Sequence, residues 1–347
     1  MGAYIAWVMG SGFATGQEIL QFFTSYGYNS FILVVINLAG FLLIGPAILK
    51  AGAAHKDDED YDQFVYFCGR RVGAFYRWYV PLSLFAGMVI LVSGAGATLQ
   101  QYFGLNHYVG ALIMAALAFV AYAAGFQRFV HVVSFVGPLI IAFTIFVGLV
   151  TVTRDFDGLA AAAQHEAVMA DCRPAAFWWL SGILYISYNL TGGSSYYTAL
   201  GKTAGSCKEA VWGAVLGSCA LMLGVLLMNS AILANIGVAG TLGVPTLYLA
   251  EKISYVLGAV FSVVLILGIF SSCSAMLWTV SEKFVVQGTK KSYIFAACVA
   301  VVSFVLGLLP FADLIGVVYP YLGYIGLVYV SCVAVSRFRK KAAGCKA

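Results

Sequence analysis

Long runs of apolar residues, separated by short polar turns, follow one another along almost the whole chain. A helix that crosses the hydrocarbon core of a membrane needs about 20 predominantly apolar residues. The pattern therefore predicts an all-α, polytopic membrane protein with ten transmembrane helices. The predicted spans are residues 3–25, 30–50, 78–101, 108–124, 129–152, 175–198, 209–235, 256–281, 292–309 and 314–336.

Polar and small residues interrupt the first span at residues 10–18 (GSGFATGQE) and the sixth span at residues 187–193 (SYNLTGG). Within a bilayer, non-helical backbone is tolerated only where it is buried in protein or lines a cavity. A charged side chain at that depth costs kilocalories per mole. Two interrupted helices in corresponding halves of a chain indicate the binding site of a secondary transporter.

The longest polar segment divides the predicted spans into five and five. An odd number of spans per half gives the two halves opposite orientations, as in transporters built from inverted repeats. We therefore predict two inverted five-helix repeats, each beginning with its broken helix. The predicted limits are 1–152 for the first repeat, 153–173 for an extracellular loop, 174–337 for the second repeat and 338–347 for a cytoplasmic tail.

Composition and charge agree with this topology. The chain is 62% hydrophobic and 10% charged, whereas a soluble domain has about 25% charged residues. Of its 19 basic residues, all but Arg154, Arg173 and Lys252 fall on one side of the predicted membrane. Because Lys and Arg accumulate in cytoplasmic loops, both termini are predicted to be cytoplasmic, in a multi-pass protein of the cytoplasmic (inner) membrane. The net charge of +5 is thus explained by topology, and no nucleic-acid partner is expected.

The first interruption carries the clearest candidate chemistry. Its glycines allow the backbone to unwind, which leaves free carbonyls for a cation and free N–H groups for an anion. Glu18 could carry a proton, pair with an amine on the substrate or act as an outer gate, or it could make a structural hydrogen bond to a neighbouring helix. The glycines could instead simply allow close helix packing. The candidate substrate-binding residues here are Ser11, Gly12, Ala14, Thr15, Gly16, Gln17 and Glu18.

Two further segments contribute candidates. In the sixth span, polar side chains and a flexible glycine could bind substrate, and two tyrosines on one helical face could stack on it or merely pack. The eighth span contains small polar residues that could coordinate a hard cation or bond to their own helix. The candidates are Tyr185, Tyr188, Asn189, Thr191 and Gly192 for substrate, and Gly268, Ser271 and Ser272 for a cation.

The loop at residues 237–252 could pack onto the bundle as a lid, through Leu247, Tyr248 and Leu249. The sequence has no phosphate-binding loop, no His/Cys cluster with metal-ligand spacing and no nucleophile elbow, so no enzymatic activity is predicted.

With these motifs, the chain resembles the amino acid–polyamine–organocation superfamily, whose members have the leucine-transporter fold of two inverted five-helix repeats. The run GSGFATGQEILQFF resembles the YkvI-type bacterial membrane proteins, which are described as candidate amino-acid permeases. The resemblance implies a Na⁺ site formed by carbonyls of Gly10, Phe13 and Gly268 and by the hydroxyls of Ser271 and Ser272. It also implies a substrate between residues 11–17 and 188–192.

Two features depart from that resemblance. Leu20 and Gln21 occupy the stretch where amino-acid symporters of this fold have a basic gate residue, which leaves Asp313 without its expected partner. A carboxyl group at Glu18 is also unusual beside a site for a substrate carboxylate. Both departures leave room for an amine or another cation as substrate.

The sequence thus predicts a symporter that imports a small amino acid or amine by alternating access around a site in the middle of the membrane. Na⁺ is the expected coupling ion, with H⁺ carried by Glu18 as the alternative, and no other cofactor is expected. The expected partners are a small-molecule substrate and the lipid bilayer, with no obligate protein partner. The alternatives are a ligand-sensing membrane subunit of the same fold that does not transport, and a channel.

Overall fold

The computed structural model of the chain describes residues 1–8, 11–125 and 127–339, without the side chains of residues 3, 6, 11, 127–137, 338 and 339. Within these residues every regular element is a helix, which confirms the predicted all-α fold class. The helices that correspond to the predicted spans are called the first to the tenth helix. They are Gly2–Val8 with Ser11–Ala14 and Gln17–Phe22, Asn29–Ala54, Gln63–Phe103, His107–Ala123, Gln127–Arg154, Trp178–Gly192 with Ser194–Lys202, Cys207–Ala234, Tyr255–Phe284, Lys290–Leu306 and Phe311–Arg339.

Fewer helices than ten meet a strict test of length and apolarity. Among the described residues, five helices are long and apolar enough to cross a membrane. A sixth is added if the pair Pro138–Arg154 and Gly158–Asp171, bent by 83°, counts as one span. The protein is therefore a multi-pass membrane protein, and the number of ten spans and their division into inverted repeats stay predictions. The five are Asn29–Ala54, Gln63–Phe103, Cys207–Ala234, Tyr255–Phe284 and Phe311–Arg337.

The third helix is much longer than its predicted span of residues 78–101, because it already begins at Gln63. The side chain of Asp62 caps it by accepting hydrogen bonds from the backbone N–H groups of Phe64 (2.8 Å) and Val65 (3.1 Å). Its first turns contain several arginines, so they are helical without being apolar enough to span. Gly69 interrupts the helical geometry there, with φ of 75° and ψ of 172°.

The first helix is interrupted as predicted. It ends at Ala14 and resumes at Gln17, and between them Gly16 has a φ of 81°, a left-handed conformation that favours glycine. The beginning of the predicted interruption, which includes Gly10, lies outside the described residues.

The sixth helix is interrupted far less than predicted. Residues 187–192 are helical, and only Gly193 lies between two helical segments, so the prediction of an unwound stretch over residues 187–193 was wrong. The polar side chains do not require unwinding, because they bond to carbonyls of their own helix. Ser187 donates to the Ile183 carbonyl (2.7 Å), and the Asn189 amide donates to the Tyr185 carbonyl (3.0 Å).

The sixth helix lies between the second and the tenth, the second packs on the seventh, and the third packs on the eighth. The short segment Ser11–Ala14 packs against the eighth helix. This arrangement brings the first, sixth, eighth and tenth helices around the interruption of the first.

Candidate functional site

One end of the first interruption is covered by the short helix Pro245–Ile253, which belongs to the predicted lid. The Thr246 N–H donates to the Thr15 carbonyl (3.1 Å). Leu247 and Leu249 are fully buried. The lid is also attached to the third helix, where the side-chain amide of Gln101 both donates to the Val244 carbonyl and accepts from its N–H, each at 2.9 Å. The predicted lid segment is thus packed onto the bundle.

The backbone groups of the interruption mostly bond to one another. The Thr15 hydroxyl donates to the Gly12 carbonyl (2.6 Å) and accepts from the Gln17 N–H (3.2 Å). The Gly16 N–H donates to the Phe13 carbonyl (3.0 Å). The sequence analysis predicted that free carbonyls here could bind a cation and free N–H groups an anion. The Gly12 and Phe13 carbonyls and the Gln17 N–H group already have hydrogen-bond partners within the interruption. A carbonyl has a second lone pair, so the Phe13 oxygen can still accept a further ligand.

Glu18 is the charged side chain at the centre of the site, and it is only 5% exposed. Its Oε2 accepts a hydrogen bond from the Tyr188 hydroxyl at 2.9 Å. The Tyr319 hydroxyl, from the tenth helix, interacts with the same carboxyl group. Gly12 lies so close that a Cβ at this position would collide with Oε1 of Glu18. Three helices thus converge on one carboxyl group.

A small cavity of about 110 Å³ adjoins Glu18. Its wall is largely apolar, with polar contributions from Glu18, Tyr79, Ser83, Tyr188, Asn189, Ser272 and Tyr319. The described lining contains no Lys, Arg or His. The apolar and small lining residues are Trp7, Val8, Gly12, Leu84, Gly87, Leu91, Gly192, Met276 and Leu322.

A second, much larger cavity of about 1240 Å³ continues from the small one, away from the lid. The two cavities share five lining residues, which form the neck between them: Trp7, Leu84, Gly192, Ser272 and Met276. The large cavity, called the vestibule below, is lined by several charged side chains of the predicted cytoplasmic side. These are Asp62, Arg77, Lys202, Glu282 and Lys283, of which Asp62 and Arg77 form an ion pair.

The structure brings some of the predicted substrate residues together and separates others from them. Gly12, Glu18, Tyr188, Asn189 and Gly192 line the small cavity. The others with described side chains are buried and line neither cavity: Ala14, Thr15, Gln17, Tyr185 and Thr191, together with Gly16 under the lid.

Two of these buried candidates have packing roles. The Tyr185 ring lies among Phe22, Phe23 and Phe41. The Thr191 hydroxyl donates to the Gly326 carbonyl of the tenth helix (3.3 Å). The Ser11 side chain is outside the described part.

The predicted cation ligands of the eighth helix face the same space. Gly268 and Ser271 line the vestibule, and Ser272 lines both cavities. Ser274, by contrast, is buried and donates to the Phe270 carbonyl of its own helix at 2.7 Å. Among the described residues, no three His, Cys, Asp or Glu side chains come together as metal ligands would.

Sequence reasoning missed Trp7 and Tyr319. Trp7 stacks on Tyr196 with ring centroids 5.3 Å apart and stands at the neck. Tyr319 stacks on Tyr188 with centroids 4.5 Å apart. A polar aromatic residue directly before Pro320, in the middle of an apolar helix, was the available signal for Tyr319. Trp7 had none beyond its closeness to the interruption.

The absent basic gate residue has a structural counterpart. The Gln21 side-chain amide donates to the Ala312 carbonyl at 2.7 Å, beside Asp313 at the start of the tenth helix. The first and tenth helices therefore do contact each other where a gate is expected, but through the neutral side chain of Gln21.

Comparisons with known proteins agree with this architecture. No family model matches the chain. The chain is 24% identical to the uncharacterized membrane protein YkvI of Bacillus subtilis strain 168 over 341 residues, which cover 95% of this chain and 93% of that protein. It is 21% identical to the uncharacterized protein YyaD of the same strain over 328 residues, covering 94% and 92%.

Among solved structures, two mutant forms of a manganese transporter from Eremococcus coleocola resemble it, with TM-scores of 0.57 and 0.54. Their identities are 16% and 17%, and each alignment covers 94% of this chain and 75% of the transporter chain. At this identity the likeness shows the fold alone. The chain is thus a multi-pass membrane protein that has the fold of a transporter and is similar over its length to a bacterial membrane protein, YkvI.

Proposed function

We propose that the protein is a secondary transporter that moves a small amino acid or amine across the cytoplasmic membrane by alternating access. One observation carries the proposal. A small cavity at an interrupted helix is covered by the lid segment at one end and continues into a vestibule with charged side chains at the other. A carrier that is open to one side of the membrane has this arrangement. Closing the open entrance and opening the covered one would expose the cavity to the other side and complete the transport cycle.

The cargo of the structural neighbour is not carried over. Manganese prefers several oxygen ligands, such as carboxylates. The small cavity offers one carboxyl group, and no cluster of three potential ligands of the His, Cys, Asp or Glu type exists among the described residues. An organic solute suits the largely apolar wall better.

For the coupling ion we propose Na⁺, held by the hydroxyls of Ser271 and Ser272 and by the carbonyls of Gly10, Phe13 and Gly268. The position of Ser272 at the neck supports this, since an ion there would be released into the vestibule. H⁺ is the alternative, with Glu18 as its carrier, because Glu18 is the one carboxyl group in the described lining of the small cavity.

Uptake into proteoliposomes tests the proposal. Purified protein is reconstituted, and entry of radiolabelled alanine, valine and short alkylamines is measured under an imposed Na⁺ gradient, an imposed pH gradient or neither. We expect saturable uptake that the Na⁺ gradient accelerates. Acceleration by the pH gradient alone would show that the coupling ion is H⁺ and not Na⁺. Binding without any flux would overturn the transport function in favour of a sensor, and ion currents far above carrier rates would indicate a channel.

A further inference from the structure

The described lining of the small cavity has one acidic side chain and no basic one. Glu18 is the single ionisable carboxyl group of its described lining, which includes no basic side chain to neutralise it. An unpaired carboxylate in a membrane interior is costly, so such a group normally has a partner or a functional role. The two tyrosines that interact with Glu18 supply hydrogen bonds but no positive charge.

The aromatic surroundings favour a cation near this carboxyl group. Tyr188 and Tyr319 lie almost parallel, 15° apart with centroids at 4.5 Å, and both direct their hydroxyls to Glu18. Trp7 forms part of the same cavity wall. The facing sides of these stacked tyrosine rings are closed to a ligand, so an ammonium group would be attracted by the outer ring faces and would donate to the carboxylate and to the tyrosine hydroxyl oxygens.

A carboxylate on the substrate would find poor partners in the same cavity. The N–H of Gln17, at the start of the segment after the interruption, is already taken by the Thr15 hydroxyl. The side-chain amide of Asn189 uses one of its two N–H donors on the Tyr185 carbonyl, and the Ser83 hydroxyl donates to the Val80 carbonyl. A substrate carboxylate would also be repelled by Glu18.

The rest of the cavity wall indicates that the part of the ligand beyond its ammonium group is small and apolar. It is made mostly of aliphatic and thioether side chains, and a cavity of about 110 Å³ accommodates only a small group. A second ammonium group on the ligand would have to lie against this apolar wall or in the vestibule. The aliphatic and thioether side chains of this wall are Val8, Leu84, Leu91, Met276 and Leu322.

From these observations we propose that the small cavity binds a primary monoamine with a short apolar chain, in preference to the amino acid of the same side chain. The ammonium group is bound by Glu18 and the Tyr188–Tyr319 pair, and the alkyl chain contacts the aliphatic wall. This inference rests on the proposed transport function, whose substrate it specifies.

Three probes with the same branched apolar body separate the possibilities. Isobutylamine carries only the ammonium group, valine carries ammonium and carboxylate, and 3-methylbutanoate carries only the carboxylate. Their binding to purified protein in lipid nanodiscs is measured by the shift in melting temperature over a range of ligand concentrations, because a ligand of the folded state raises it by mass action. We expect isobutylamine to bind at least tenfold more tightly than valine, and 3-methylbutanoate not to bind.

Variants show whether the binding depends on the proposed site. Glu18→Gln should weaken isobutylamine at least tenfold, whereas Glu282→Gln, a carboxyl change in the vestibule, should leave it unchanged. If Glu18→Gln does not fold, Tyr319→Phe tests the same contact and should weaken binding severalfold.

The outcomes separate this inference from the proposed function. Valine binding as tightly as isobutylamine, or no binding of any of the three probes, overturns the amine preference. Equal loss in the Glu282→Gln variant overturns the assignment to the small cavity. Amine that binds as expected but does not enter proteoliposomes leaves the inference standing and overturns the transport function. Uptake of valine but not of isobutylamine overturns the amine preference and leaves the transport function standing.

Discussion

The hydroxyl of Tyr188 donates a hydrogen bond of 2.9 Å to Oε2 of Glu18, and this bond joins the sixth helix to the segment of the first helix that follows its interruption. Both side chains are buried, and both line the small cavity. The orientation of the carboxyl group in the site thus depends on a residue 170 positions away in the chain.

Removal of this hydroxyl should impair the site. Tyr188→Phe keeps the ring but leaves Glu18 without its donor on the sixth helix, so we expect substrate affinity to fall about tenfold, which corresponds to about 1.4 kcal/mol, close to the net contribution of one hydrogen bond. Ligand-dependent melting shifts and initial uptake rates measure the effect.

Tyr185→Phe is the matched control. Tyr185 is also buried, lies one turn away on the same helix and touches the same Phe22 ring, but its hydroxyl has no hydrogen-bond partner in the described structure. Since an unsatisfied buried hydroxyl is unfavourable, Tyr185→Phe should leave transport unchanged and the melting temperature equal or higher. Equal impairment by both substitutions would show that the ring packing matters and the bond to Glu18 does not.

Closure of the lid should depend on Gly16. Its φ of 81° is unfavourable for other residues by about 1–2 kcal/mol, and a Cβ there would collide with Oγ1 of Thr246 on the lid. We expect Gly16→Ala to lower stability and to nearly abolish uptake, because the lid could not seat on the interruption.

Gly104→Ala provides the comparison, since Gly104 has a similar φ of 68° but nothing lies within 4 Å of its Cβ position. That variant should lose a similar part of its stability from backbone strain and retain transport. Normal uptake by a folded Gly16→Ala protein would contradict the role of the lid contact.

How far the sequence predicted this site depended on the range of the interactions involved. The interruption near Gly16 was predictable because glycine clusters and a carboxylate are anomalous in a spanning helix. The second interruption was predicted too broadly, because a sequence pattern does not distinguish unwinding from side chains that bond to their own helix, as Ser187 and Asn189 do. The role of Tyr319 depends on the packing of the tenth helix against the sixth, and its position before Pro320 marks the residue without revealing that contact.

The proposed sodium coupling should depend on the Ser272 hydroxyl in the eighth helix. Ser272 lies at the neck between the cavities, whereas Ser274, two residues on, is buried and bonded to its own helix. Ser272→Ala should therefore raise the Na⁺ concentration for half-maximal uptake severalfold, and Ser274→Ala should not change it. Uptake is measured at fixed substrate over a range of Na⁺ concentrations. An unchanged Na⁺ dependence in Ser272→Ala would remove this hydroxyl from the proposed ion site.

An ion pair outside the membrane spans should hold the lid at its far end. Lys252, at the end of the lid helix, donates to Asp155 at 2.8 Å and to the side-chain carbonyl of Asn235 at 2.7 Å. Burial alone would raise the pKa of the Asp155 carboxyl, but the hydrogen bonds from Lys252 and Asn235 and the charges of Lys252 and Arg154 outweigh it, so the pKa is lowered.

A lowered pKa in the folded protein means that the ion pair stabilises it above the pKa of the unfolded chain, and that this contribution is lost as the pH falls through the folded value. Because both side chains are partly exposed, the contribution is about 0.2–1 kcal/mol. Asp155→Asn should accordingly lower the melting temperature slightly between pH 5 and 8, and the difference from the unmodified protein should shrink as the pH falls below about 4 and vanish below the lowered pKa of Asp155 in the folded protein. Asp157→Asn, a change at an exposed carboxyl two residues further on, should have no such effect. A difference that persists undiminished in acid would show that Asp155 acts through something other than its charge.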